Sequence, residues 1–168
     1  MCIRDSLITH AQVLALLVGL GLAVLGYIYA YDIVALLGAK DLVLEMTVDY
    51  LQVYMIGVPF FLLSIVGSTL LRAAGNAASP GVIMTIGSVT QIILGPILIF
   101  GWFGIPALGI AGAAWAYVLS RVASVGLYGV ILMRDRLMAP SLSGMTSSWA
   151  AIMHVGGPAI ASGLVMPF

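Results

Sequence analysis

Residues 73–120 read AAGNAASPGVIMTIGSVTQIILGPILIFGWFGIPALGIAGAAWAYVLS, 48 positions without one Asp, Glu, Lys or Arg. A helix needs roughly 20 mainly apolar residues to cross a hydrocarbon core about 30 Å thick. The stretch is twice that long and must hold two crossings. Gly101-Trp102-Phe103-Gly104-Ile105-Pro106 divides it, because glycine and proline beside aromatic residues mark a turn at a membrane interface. The third span is therefore expected at 80–100 and the fourth at 107–133.

Working outward, 7–31 and 50–71 form the first and second spans. The connection at 32–49 holds a short apolar piece, followed by Lys40, Asp41 and Glu45. A polar connection at 134–148 leads to a fifth apolar run, 149–168, expected to be truncated. No segment alternates apolar and polar residues as a barrel wall would. The expected fold class is all-α, a polytopic membrane helix bundle of four complete spans plus a truncated fifth.

Composition demands the same solvent. The 168 residues are 62% hydrophobic and 7% charged, with mean hydropathy +1.20. Soluble domains carry about 25% charged residues, and six basic plus six acidic side chains cannot coat a water-facing surface. Lipid is thus an expected partner. The net charge is zero and no basic run occurs, so nucleic acid is not expected. Cys2 is the single cysteine, which excludes a disulfide framework or a cysteine-based metal site. Met1-Cys2-Ile3-Arg4-Asp5-Ser6 back-translates to ATG TGT ATA AGA GAC AGN, resembling a transposon adaptor. Residues 1–6 are accordingly expected to be a sequencing scar outside the fold, with both chain ends cut.

Short cytoplasmic loops are enriched in Lys and Arg. Arg72 follows span two, and Arg134 and Arg136 follow span four, whereas the opposite loops carry Lys40. The arginine-bearing loops are expected in the cytoplasm. Tyr27, Tyr29, Tyr31, Tyr50, Trp102 and Phe103 then form an outer aromatic belt. Ala15, Gly19, Ala23, Gly26 and Ala30 line one face of span one, and Gly109, Ala113, Ala116, Ser120 and Ala123 one face of span four. Such small-residue faces allow close helix packing; they serve either a rocking interface or ordinary bundle packing. Pro59, Pro96 and Pro158 are expected to kink their helices. Gly57-Val58-Pro59 and Gly156-Gly157-Pro158 share a G-x-P pattern 99 positions apart, a faint internal repeat of the kind duplicated transporters show.

From Tyr50 onward an ordered set of signatures accumulates. Tyr50-Leu51-Gln52-Val53 leads to Gly57-Val58-Pro59, then Leu71-Arg72-Ala73-Ala74-Gly75-Asn76 and Pro80. Gln91-Ile92-Ile93-Leu94-Gly95-Pro96 and Pro106-Ala107-Leu108-Gly109-Ile110-Ala111-Gly112-Ala113-Ala114 follow. In order, spacing and punctuation this resembles the multidrug and toxic compound extrusion (MATE) family. The resemblance implies a two-lobed, twelve-helix transporter in which spans one to four match helices three to six. Residues 134–148 would connect the lobes and 149–168 would open the second lobe. The earlier helices and most of the second lobe would be missing partners from the same protein. Arg72, Arg134 and Arg136 fall inside by this topology too. It further implies export of organic cations and other amphipathic compounds in exchange for H⁺ or Na⁺, with no cofactor. One branch of the family places an Asn and, four residues on, an Asp of its ion site on helix five. Gln91 and Gly95 stand at those positions, and Tyr117 at that of a family Thr, so this chain does not support the branch-specific site.

Arg121 is the one ionisable residue deep within a span. A charge at mid-membrane is costly and is by default a functional candidate. It either faces the lobe interior, the hypothesis carried forward, or snorkels to the inner surface from a tilted or shifted span four. Gln91 lines a polar path or bonds between helices. Tyr54 and Tyr117 offer aromatic faces to a cationic compound or fill the bundle. His154 sits where a titrating or a merely interfacial group would, and Asn76 reads as turn chemistry.

The leading function is a secondary active antiporter in the plasma membrane, exporting small amphipathic or cationic molecules. The alternative is a flippase for lipid-linked oligosaccharides, and less favoured still is a non-transporting membrane subunit. HExxH, GxSxG, paired intramembrane carboxylates and a histidine cluster are all lacking, which argues against an enzyme.

Overall fold

Five helices and one 3₁₀ turn make up the computed structural model, which describes residues 3–104, 106–134 and 149. Side chains of residues 3–7 and of Phe103 lie outside that description, as do Arg136, His154, Pro158, nearly all of 134–148 and all of 149–168 beyond Trp149. The helices are α1 (Ile3–Ile28), α2 (Ala30–Leu36), α3 (Asp41–Ala73), α4 (Ala78–Phe100) and α5 (Ile110–Arg134). Four of them are long and apolar enough to cross a membrane. No strand occurs among the described residues.

The element boundaries follow local chemistry. Gly38 at φ 88° and Gly101 at φ 74° take the left-handed conformation that ends a helix, which costs glycine little. Past α3 the chain turns at Gly75, and the Asn76 carboxamide oxygen accepts the Ser79 amide at 3.1 Å. That satisfies one orphan donor at the start of α4. The break at Gly101-Trp102-Phe103-Gly104 holds the 3₁₀ turn Trp102–Gly104.

The structure redraws the span limits in two places. Span two, expected at 50–71, starts nine residues earlier at Asp41. Asp41, Glu45 and Asp49 recur every four residues and are all exposed, so one polar helix face carries α3 beyond the lipid. At 1.5 Å per residue its 33 residues reach about 50 Å, well over the hydrocarbon thickness. Span one, expected to run to 31, breaks at Tyr29 into α1 and the short α2. Conversely, α1 reaches back to Ile3, through residues set aside as a scar. Nothing there carries the Gly or Pro that would stop a helix.

The packing order across the bundle is α1, α3, α5, α4, with α2 also lying on α3. The neighbours α3 and α5 run parallel, as the pairing of Phe61 with Arg121 and Gly67 with Tyr128 shows. The outer pair runs the opposite way. Close approach at each seam depends on small residues. A Cβ on Gly19 would lie 2.7 Å from the Pro59 Cα, and one on Gly112 2.6 Å from the Leu98 carbonyl oxygen. The predicted face of span one is the observed one: Gly19 and Ala30 are buried, and Ala15, Ala23 and Gly26 half-buried. The face of span four is different. Gly112, Ala116, Ser120, Ser124, Tyr128 and Leu132 point inward, whereas Gly109 and Ala123 are exposed. Two elements flank α5, so larger side chains also turn inward.

At one end of the bundle Ile8, Leu71, Ile83, Tyr128 and Leu132 form a buried apolar cluster. Arg72 and Arg134 occupy the last turns of α3 and α5 at that same end. Around the perimeter Leu17, Leu20, Val24, Val82 and Ile93 stay exposed, and Ile92 is 72% exposed. Such a rim needs a hydrocarbon solvent.

Candidate functional site

Apart from His10 on α1, the buried polar residues among those described lie on α3 and α5, and an aromatic stack joins these two helices. Tyr50 and Tyr54 stand one turn apart on α3, their ring centroids 6.0 Å apart. Tyr54 then stacks on Tyr117 of α5 at 4.4 Å with the rings 15° from parallel. Gly57 makes room for the stack: a Cβ there would lie 2.7 Å from the Tyr117 ring. The Tyr117 hydroxyl is buried without a hydrogen-bond partner among the described residues.

One turn further along α5, the Arg121 guanidinium carbon sits 5.1 Å from the Tyr117 ring centroid and 5.6 Å from that of Phe61. Both distances lie within cation–π range. Arg121 is twelfth of the 25 residues of α5, near mid-helix. Side chains lean toward the N-terminus of their helix, and the guanidinium accordingly folds back toward Tyr117, one turn nearer the start of α5. Its Nε is buried without a partner among the described residues.

Below the aromatic stack lies a cavity of about 210 Å³ between α3, α4 and α5. Ser64, Ser68 and Arg72 from α3 and Arg121, Ser124 and Tyr128 from α5 line it together with the apolar Phe61, Ile65 and Met84. Ser64 donates to the Phe60 carbonyl at 2.8 Å and Ser124 to that of Ser120 at 2.8 Å. These hydroxyls are tolerated inside helices because a backbone oxygen one turn back takes the proton.

The structure thus brings Tyr54, Tyr117 and Arg121 together and leaves Gln91 apart. Gln91 is half-buried on α4, beside a shallow groove formed with Ser88, Gly95, Pro96 and Phe100. Pro59 and Pro96 lie inside α3 and α4, which continue past them; Pro59 is buried against Gly19. Phe61, Ser64, Ser68, Arg72 and Ser124 were not singled out from the sequence as site residues. The four-residue spacing of Ser64 with Ser68, and of Ser120 with Ser124, was the available signal. Among the described residues no three His, Cys, Asp or Glu side chains gather as a metal would require.

Comparison with known proteins gives this geometry a context. The MatE family model matches residues 5–97, over half of the chain. An FAD transporter of Shewanella oneidensis is 34% identical over 150 residues, covering 87% of this chain and 33% of its own. The probable multidrug resistance protein YoeA of Bacillus subtilis is 37% identical over 108 residues, covering 64% and 23%. The multidrug export protein MepA of Staphylococcus aureus is 29% identical over 148 residues, covering 83% and 31%. Among solved structures, MATE in the bent conformation superposes with a TM-score of 0.81 at 27% identity, covering 96% of this chain and 36% of that one. An inward-facing multidrug resistance MATE family transporter gives 0.74 at 26% identity, covering 92% and 35%. The chain therefore spans about a third of the length of the relatives it matches.

Proposed function

The chain belongs to the MATE family of membrane transporters, and on that premise we propose that the whole protein is a secondary active exporter of small amphipathic compounds. In this reading it resides in the plasma membrane, with the Arg72 and Arg134 ends in the cytoplasm. Inward flow of H⁺ or Na⁺ drives the export. The observation that carries the proposal is the packing order α1, α3, α5, α4 with an exposed apolar rim, superposable on MATE at a TM-score of 0.81.

Physically, alternating access asks for lobes that rock as units about a central site. The seams of this bundle suit a single unit. Gly19 against Pro59 and Gly112 against Leu98 meet at backbone distance, so sliding one helix past another would open voids or clashes. Motion within the four helices is thereby disfavoured, and motion between lobes remains.

The acids at Asp32, Asp41, Glu45 and Asp49 are exposed at the end of the bundle opposite Arg72. A coupling carboxylate, and the counter-charge for a cationic substrate, would come from the rest of the whole protein. A second reading, a flippase for lipid-linked oligosaccharides, draws support from Arg72 and Arg121 lining one cavity. The deciding experiment is efflux of a fluorescent amphipathic dye from proteoliposomes of the whole transporter under imposed H⁺ or Na⁺ gradients. Efflux that follows either gradient is expected. Indifference to both would overturn the exporter reading and favour the flippase.

A further inference from the structure

The 210 Å³ cavity between α3 and α5 has two arginines and a set of hydroxyls on its wall, and no carboxylate. Arg121 approaches it from mid-helix and Arg72 from the last turn of α3. Phe61, level with Arg121, precedes Arg72 by eleven residues, an axial separation of about 16 Å. The cavity therefore runs from the arginine-bearing end of the bundle to its middle, its polar groups set among Phe61, Ile65, Met84 and Tyr128. Asp49, the nearest acid upstream on α3, lies twelve residues before Phe61, about 18 Å along the helix. Among the described residues neither arginine has an ion-pair partner, and the Arg121 Nε is buried with no acceptor.

The aromatic neighbours do not remove that demand. Phe61 and Tyr117 stabilise the guanidinium through its face, whereas its N–H donors lie in the plane and need acceptors. A buried guanidinium N–H without an acceptor is costly, and an anion arriving there recovers the loss. Ser68 has no hydrogen-bond partner among the described residues. Ser64, Thr69 and Ser124 currently donate to carbonyls of their own helices and can rotate toward a stronger acceptor. Planar guanidinium forks match phosphate oxygens two at a time, which ammonium groups do not.

We propose that this cavity binds a phosphate-bearing anion, with Arg121 holding the phosphate at the mid-bundle end and Arg72 drawing it in at the mouth. The volume takes a phosphate group with the start of whatever it is esterified to, so the remainder extends along the seam or into lipid. A lipid headgroup and a soluble phosphate ester share this chemistry. The site stands on the cavity alone and does not depend on ion-driven export.

The test is binding to the whole transporter in neutral detergent, read as a saturable rise in thermal unfolding midpoint. The probes are inorganic phosphate and dihexanoyl phosphatidic acid, with dihexanoyl phosphatidylcholine as the control of equal chain length. We expect stabilisation by phosphatidic acid beyond that by phosphatidylcholine. A response to inorganic phosphate as well identifies charge as sufficient, and its absence identifies a lipid source. Arg121→Gln should abolish the shift, and Arg121→Lys should retain part of it. Arg72→Gln, at an exposed position where folding is not at stake, should raise the half-saturating concentration about tenfold. The proposal is overturned if neither phosphate probe exceeds the control, or if Arg72→Gln leaves half-saturation unchanged.

Discussion

The Tyr117 hydroxyl and the Arg121 guanidinium sit one turn apart on α5, and their needs differ. The hydroxyl is buried with no partner among the described residues, while the ring beneath it stacks on Tyr54. Burying a hydroxyl without a hydrogen bond costs roughly 1–3 kcal/mol, whereas the stack contributes about 0.5–1.5 kcal/mol beyond its area. Tyr117→Phe keeps the stack and removes the unpaired group. Its unfolding midpoint in detergent should equal or exceed that of the parent protein. A clear loss of stability would mean that another part of the whole transporter supplies the missing acceptor. Both residues were legible in the sequence as candidates, but their relation was not. A tyrosine 63 positions from its partner offers no local signal of stacking.

At the scale of the element, the α1–α3 seam shows how little space separates two helices when glycine sits between them. Gly19 faces the Pro59 Cα, and Gly21, two residues on, faces open space. Gly19→Ala must push the backbones apart, an overpacking cost of about 1–3 kcal/mol. Gly21→Ala meets nothing and should be neutral or mildly stabilising, since alanine is the better helix former. Thermal unfolding of the two variants side by side checks the contrast. Equal midpoints would refute the seam as drawn. The stripe on α1 could be read from sequence because, among the described residues, α3 is the helix packed along its length. The stripe on α5 could not be, because α3 and α4 both cover it. Its inward arc is wider than any small-residue pattern and includes Tyr117, Tyr128 and Leu132.

For the molecule as a whole, four antiparallel-connected spans put Arg72 and Arg134 at one end and Lys40 at the other. Single cysteines introduced at Asn76 and Leu36, with Cys2 replaced by serine, provide a check in intact cells. A membrane-impermeant maleimide should label Leu36→Cys from outside and reach Asn76→Cys only after permeabilisation. The reverse pattern would invert the topology and with it the direction proposed for the cavity mouth.

Solvent choice and span number were decided by the sequence alone. Hydrocarbon cannot satisfy an exposed backbone, so each apolar run about 20 residues long has to become a helix. Turn chemistry at Gly101 and Asn76 was local as well, and was readable for that reason. Tertiary structure decided which faces meet. Inside lipid there is little hydrophobic preference to orient a helix, so the pairing of Tyr54 with Tyr117, and the shared cavity of Arg72 and Arg121, arose from shape fit between distant segments.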